Sequence, residues 1–322
     1  SHRLSVHEGD LRDVNRMSTN VARCLFLLLP FVFACGDGDK GVDSGTTEYP
    51  EGRGGFYVVA DTLIGKGYAD VPVGTIYSHP REMGEDLPAL ILIHDFTRTN
   101  QDWLSTTFFI DLLEAGYIIA AINLRGHGDT PLPDGRGTFV EMAAMAELER
   151  AEPDLENSYL DVQTTLDWLE EQPGVDAERI GVIGAGLGAN VAYVAKGVFP
   201  TRIRTAVALS PVSWKSRRDT SITLAVGEGL PSFTPQNTLF IVGEIPLVVF
   251  PNIKVTSTVA FTQELAEQTA EPKEVDTVAI LCDPASPDCN PVYGIGFFCD
   301  PAEDDCNSGP RDGLLKWLED NL

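Results

Sequence analysis

The sequence predicts an α/β fold: a doubly wound, mostly parallel sheet with helices on both faces. Three observations predict it. Short apolar runs alternate with segments of helical spacing along most of the chain. Some runs, such as PALILIH at Pro88–His94, are almost continuously apolar, as a strand buried on both faces must be. Arg179–Phe199, RIGVIGAGLGANVAYVAKGVF, reads as a strand, a tight glycine turn and a helix, a unit from which such sheets are wound.

Phe56–Leu63 and Gly74–Tyr77 form a leading pair of strands rich in β-branched and aromatic residues. After Pro88–His94, Asn100–Tyr117 has helical spacing and Ile118–Leu124 is a second buried strand. Leu155–Gln172 is amphipathic, with Tyr159, Val162, Leu166 and Leu169 on one face. Arg179–Ile183, Thr205–Leu209 and Thr238–Val242 are further strands, with helices at Leu187–Val198 and Thr256–Gln268. Val275–Leu281 is the last strand and Asp312–Leu322 the closing helix.

The segments ahead of this alternation have other characters. Residues 1–16 are polar and are set outside the fold. Residues 17–34 place Arg23 before an apolar run, Leu25–Phe33, too short for the roughly 20 residues of a membrane span and suited to a secretory signal. The run ends in Val-Phe-Ala-Cys at Cys35, which resembles a bacterial lipobox; the resemblance implies lipidation of Cys35. The alternative is a plain signal peptide that contains a cysteine. Residues 35–55 are rich in Gly, Asp, Thr and Ser and read as a tether. The domain then runs over 56–322. Aspartate does not directly follow Cys35, and resemblance to sorting rules then implies the outer membrane of a Gram-negative envelope.

A formal net charge of −25 excludes the usual nucleic-acid surface, which needs clustered Lys and Arg. It also repels anionic lipid, so membrane attachment rests on the anchor. The partners expected are the membrane, through that anchor, and a small molecule or protein. No cofactor or metal is implied.

HDFTRTNQDW, AAINLRGHGDT, DWLEEQPGVDAERIGVIGAGLGANVA and TAVALSP occur in an order and spacing that resemble the core of an α/β-hydrolase, of the dienelactone-hydrolase or serine-aminopeptidase type. The resemblance covers Leu87–Pro211 well and the last third loosely. It implies a G-x-S-x-G nucleophile elbow, followed in chain order by an acid and a histidine. Gly184-Ala185-Gly186-Leu187-Gly188 stands in the elbow frame, with Gly186 where the serine belongs. The acid segment reads Val242-Gly243-Glu244-Ile245-Pro246, with Ile245 near the aspartate's place and Glu244 close by. Tyr293-Gly294-Ile295-Gly296 matches the histidine segment, with Tyr293 in the histidine's place. The five histidines are His2, His7, His79, His94 and His127, and none follows the elbow. A hydroxyl nucleophile needs a base within reach and an acid to orient it, so no ordinary triad can form.

The same resemblance gives His94 and His127 structural roles and makes the backbone N–H groups of Phe96 and Leu187 an oxyanion-like notch. Asp95 stands where the family has glycine, and a carboxylate turned inward there would oppose an oxyanion. The expectation is a catalytically inactive binding or scaffold protein; the alternative is a hydrolase of esters or peptides with a non-standard apparatus. Gly184–Ala189 also satisfies the dinucleotide pattern G-x-G-x-x-A. That reading wants an acid about 20 residues on, and the first acidic residue after Leu187 is Asp219, beyond the next strand.

Cys282, Cys289, Cys299 and Cys306 form a duplicated C-D-P-A-x-x-D-C pattern, an insertion over 282–306. In an exported chain an even set suggests disulfides. Four cysteines allow three pairings, and the shared form favours two local loops, each stabilising by roughly 2–3 kcal/mol.

Overall fold

The computed structural model describes residues 46–47, 57–65, 71–80, 86–133, 137–139, 155–214, 233–244, 247–250, 255–279, 293–298 and 309–322. They belong to one unit, Ser44–Leu322. The signal segment, all six cysteines, and Ile245 and Pro246 lie outside the described residues.

Nine strands form the main sheet: β1 (Thr46–Thr47), β2 (Tyr57–Ile64), β3 (Val73–Pro80), β4 (Leu87–Ile93), β5 (Ile118–Ile122), β6 (Val175–Ala185), β7 (Thr205–Leu209), β9 (Gln236–Gly243) and β12 (Ala270–Val278). Their order is β1-β2-β3-β5-β4-β6-β7-β9-β12. The five pairings from β5 to β12 are parallel, and the three that join β1, β2, β3 and β5 are antiparallel. The predicted mostly parallel sheet is what forms. β1 comes from the stretch that composition reads as a tether.

The continuous apolar runs have the predicted cause. Along β4, Ala89, Ile91 and Ile93 join one core cluster while Leu90 and Leu92 join the other. The first layer holds Val162, Leu166 and Leu169 of α3 (Tyr159–Leu169) and Val191 and Ala195 of α4 (Leu187–Val198). The second holds Phe108, Phe109 and Leu112 of α2 (Thr107–Glu114), with Leu314 and Leu318 of α6 (Gly309–Asn321). Each such Val, Leu, Ile or Phe side chain, fully buried, contributes about 1.5–3 kcal/mol.

Three departures from the sequence reading have local reasons. The helix expected over Asn100–Tyr117 is two, α1 (Gln101–Leu104) and α2, because Thr106 turns extended and its hydroxyl accepts from Phe109 N–H as an N-cap. The last strand begins at Ala270, ahead of Val275: it is an edge strand, largely exposed, so polar AEPKE pairs there without an apolar signal. β8 (Val212–Trp214), β10 (Leu247–Phe250) and β11 (Val255–Ser257) form a small antiparallel sheet, so α5 (Val259–Glu267) starts later than predicted. Asn190 on α4 ties that sheet to the main layer, accepting from Val212 N–H and donating to Val212 O.

The order of winding locates a crevice. From β4 the chain moves to β5 on one side, then returns to β6 on the other. Loops leaving the carboxyl ends of β4 and β6 therefore part in opposite directions, and ligands of such sheets bind at that switch point.

Beside it, Arg125 and Asp161 form a buried pair that the sequence reading did not single out. Arg125 Nη2 and Nε donate to the two carboxylate oxygens at 2.7 and 3.1 Å, and Arg125 N–H adds a third bond at 2.9 Å. Burial raises the Asp161 pKa, and Arg125 opposes that rise. We expect Arg125→Met to lower stability by about 3–5 kcal/mol, as an uncompensated carboxylate is left behind. Urea unfolding would measure it, and adding Asp161→Leu should restore most of the loss.

Candidate functional site

β6 and α4 meet at Gly186, where the backbone takes φ 57° and ψ −116°. Side-chain-bearing residues pay about 1–3 kcal/mol for such a conformation, and glycine does not. The flanking glycines are required by contact. A Cβ on Gly184 would lie 2.0 Å from Gly188 O, and one on Gly188 would lie 2.5 Å from His94 O. This close approach sets the first turn of α4 against the carboxyl end of β4, with Gly186 N–H held by Leu209 O at 2.9 Å.

The second residue after that end is Asp95, and it is turned inward. Its Oδ1 accepts from Leu187 N–H at 2.8 Å and from Phe96 N–H at 2.7 Å. The notch expected from Phe96 and Leu187 is thus built, and a carboxylate of the same chain fills it. The oxygen also takes the space that a side chain at position 186 would need: a Cβ on Gly186 would lie 1.9 Å from Asp95 Oδ1.

Tyr293 completes the cluster. Its segment is fixed by Gly294 N–H donating to Ser210 Oγ at 3.0 Å, at the end of β7. The phenol oxygen would lie 2.4 Å from a Gly186 Cβ. It sits against the Asp95 carboxylate and lowers that group's pKa, although it makes no well-aligned hydrogen bond. Burial and the adjacent negative charge push the phenol far above its ordinary range, so it cannot act as a base near neutrality. Burial also raises the Asp95 pKa to about 6, against the pull of Leu187 N–H, Phe96 N–H, Tyr293 and the Arg98 charge. At neutral pH the group filling the notch is an anion.

His94 and His127 brace this loop. Leu124 N–H donates to His94 Nε2 at 3.1 Å, which leaves the proton on Nδ1 to donate to Asp95 O at 2.6 Å. Thr97 N–H donates to His127 Nε2 at 3.1 Å, stabilising a left-handed Thr97 at φ 61°. Burial lowers the His94 pKa to about 4 and takes His127 well below its usual value, so both rings are neutral supports. Glu244 is exposed beyond the end of β9, where its N–H donates to Val278 O. Ile245 falls outside the described residues. Among the expected site residues, Gly186, Leu187, Phe96 and Tyr293 come together, and Asp95 is the group that joins them.

Asp95, Phe96 and Tyr293 of this group line a cleft of about 730 Å³. Its lining includes Asp95, Phe96, Arg98, Trp103, Tyr293 and Ile295. Trp103 and Arg98 were not singled out from the sequence, where they stand inside HDFTRTNQDW, a segment read as a mark of the fold. Among the described residues no group of three His, Cys, Asp or Glu could hold a metal ion.

Residues 90–320 match the sequence profile of the alpha/beta hydrolase family. No curated protein matches the chain. Among solved structures, the chain is similar in fold to an esterase of Pyrococcus furiosus: 18% identity, TM-score 0.53, 82% of this chain and 92% of that one. An acetyl xylan esterase from Paenibacillus sp. R4 gives 16%, 0.54, 88% and 90%. A dienelactone hydrolase from Anabaena variabilis gives 16%, 0.51, 86% and 99%.

The contact at the elbow makes a stability prediction. Gly186→Ala should destabilise, through both the positive φ and the collision with Asp95. In an Asp95→Gly background the collision with the carboxylate is gone, and the backbone cost and the close contact with the Tyr293 phenol remain. A double-mutant cycle by urea unfolding should return a coupling within the range of about 0.5–3 kcal/mol; additive effects would show that the carboxylate does not occupy this space.

Proposed function

We propose that this chain, which belongs to the alpha/beta hydrolase family, is a catalytically inactive binding or scaffold protein held at the cell envelope by a lipid on Cys35. One observation carries the inactive reading: Asp95 Oδ1 accepts the two N–H groups that would stabilise an oxyanion. Such groups catalyse because they are free to receive charge that develops in the transition state. Here the charge is already present and belongs to the protein. Gly186 supplies no nucleophile, and Tyr293 replaces the base. A tetrahedral intermediate would have neither an attacking atom nor a place for its oxygen.

The runner-up is a hydrolase of esters or peptides with a non-standard apparatus. It is favoured by structural neighbours that are themselves esterases and hydrolases, and by the retained cleft. Those likenesses speak for fold, and fold does not carry function with it.

The purified protein should neither react with a fluorophosphonate probe nor hydrolyse p-nitrophenyl acetate above background. Restoring Gly186→Ser, Tyr293→His and Ile245→Asp is not enough, since the serine would collide with Asp95 and the notch would stay filled. The smallest set expected to give weak turnover adds Asp95→Gly. Turnover by the native chain that is abolished by Asp95→Asn or Tyr293→Phe would overturn the inactive reading.

The lipid anchor rests on the lipobox resemblance and the tether composition. Cys35→Ala should move the protein from the membrane to the soluble fraction and abolish incorporation of labelled palmitate. Retention in the membrane with the label intact would refute Cys35 as the anchor.

A further inference from the structure

We infer that the cleft lined by Asp95 binds a small organic cation, an ammonium or guanidinium group, in place of the ester or anion that such a site would ordinarily receive. The inference rests on the inactive reading above and concerns the sign of charge the site now prefers. An empty pair of converging N–H groups attracts negative charge. Filled by Asp95, the same pair presents a carboxylate, whose Oδ1 is used by Leu187 and Phe96. Asp95 lines the cleft and is only partly covered.

That carboxylate is short of positive charge. Arg98, the cation in the described lining, has a side chain 66% exposed and pairs with Asp102 at 3.6 Å. Its field reaches Asp95 only as the last and smallest of the influences that favour ionisation. The histidines beneath are neutral supports. Tyr293 keeps its proton and provides a phenol beside the carboxylate, and Phe96, Trp103 and Ile295 supply apolar lining. A partly covered anion with apolar groups around it and room beside it is stabilised by a cation that brings its own N–H donors. The cleft, about 730 Å³, accommodates an amine carrying an apolar body.

Calorimetric titration of the purified protein with benzylamine, protonated at neutral pH, and with benzoate, of similar size and opposite charge, tests this. The native protein should bind benzylamine and bind benzoate more weakly or not at all. Asp95→Asn keeps an acceptor for both N–H groups and removes the charge; it should weaken benzylamine about 10- to 100-fold. Asp95→Gly empties the notch and should reverse the preference toward benzoate.

Benzylamine binding should also weaken as pH falls through about 6, as Asp95 takes a proton. The other groups facing Asp95 are His94 and Arg98 on its own loop, His127 from the loop after β5, Asp102 of α1, and Tyr293. His94 and His127 titrate lower and Tyr293 higher.

Equal or tighter binding of benzoate by the native protein, absence of benzylamine binding, or insensitivity to Asp95→Asn would overturn the inference. If a variant fails to fold, the native ligand comparison and its pH profile decide alone. Ester turnover would sink the inactive reading; failure of benzylamine to bind without turnover would sink only this one.

Discussion

The close approach of α4 to the end of β4 is the constraint on which the site depends. Gly188 packs against the carbonyls of Ile93 and His94, and Gly184 against Gly188, with no room for a methyl group at either position. That contact carries Leu187 N–H across to the loop after β4, where it meets Phe96 N–H at a single acceptor. Any side chain larger than hydrogen at 184 or 188 would part the two donors. The notch is therefore a property of backbone packing, and it persists whatever the central residue of the elbow becomes.

What the notch does is decided by one side chain. Glycine after His94 would leave the donors open, whereas Asp95 closes them with a charge. The charge is costly to bury, as the upward shift of its pKa records, and two N–H groups offset part of that cost. The absence of a side chain at Gly186 and the inward carboxylate of Asp95 fit one another sterically. A Cβ at 186 and the Asp95 oxygen cannot share the same space.

The supporting shell is built of buried, paired polar groups. Asp161 holds Arg125, the loop of Arg125 presents His127, and His127 holds Thr97 in a left-handed conformation beside Asp95. His94 ties the same loop to Leu124. A chain of satisfied buried polar groups is a rigid one. Rigidity of this kind serves a binding site as well as a catalytic one, because it fixes the carboxylate without further ordering when a ligand arrives.

By itself the sequence determined the winding of the sheet and the frame of the site. Strands buried on both faces must be apolar throughout, so β4, β5 and β7 announce themselves, and the elbow is legible because only glycine tolerates its contacts. The absence of a histidine after Gly186 is likewise a matter of counting. The first half of edge strand β12 and the small sheet of β8, β10 and β11 were not legible. An exposed edge has no apolar period, and three- or four-residue strands leave no pattern to find. Arg125 and Asp161 stand 36 residues apart, and nothing local marks them as partners. Above all, the sequence placed a carboxylate at position 95 but left its direction open. Only the tertiary structure decided that it turns inward, because one of the two N–H donors that stabilise it there, Leu187, stands 92 residues further along the chain and meets it only once the sheet is wound.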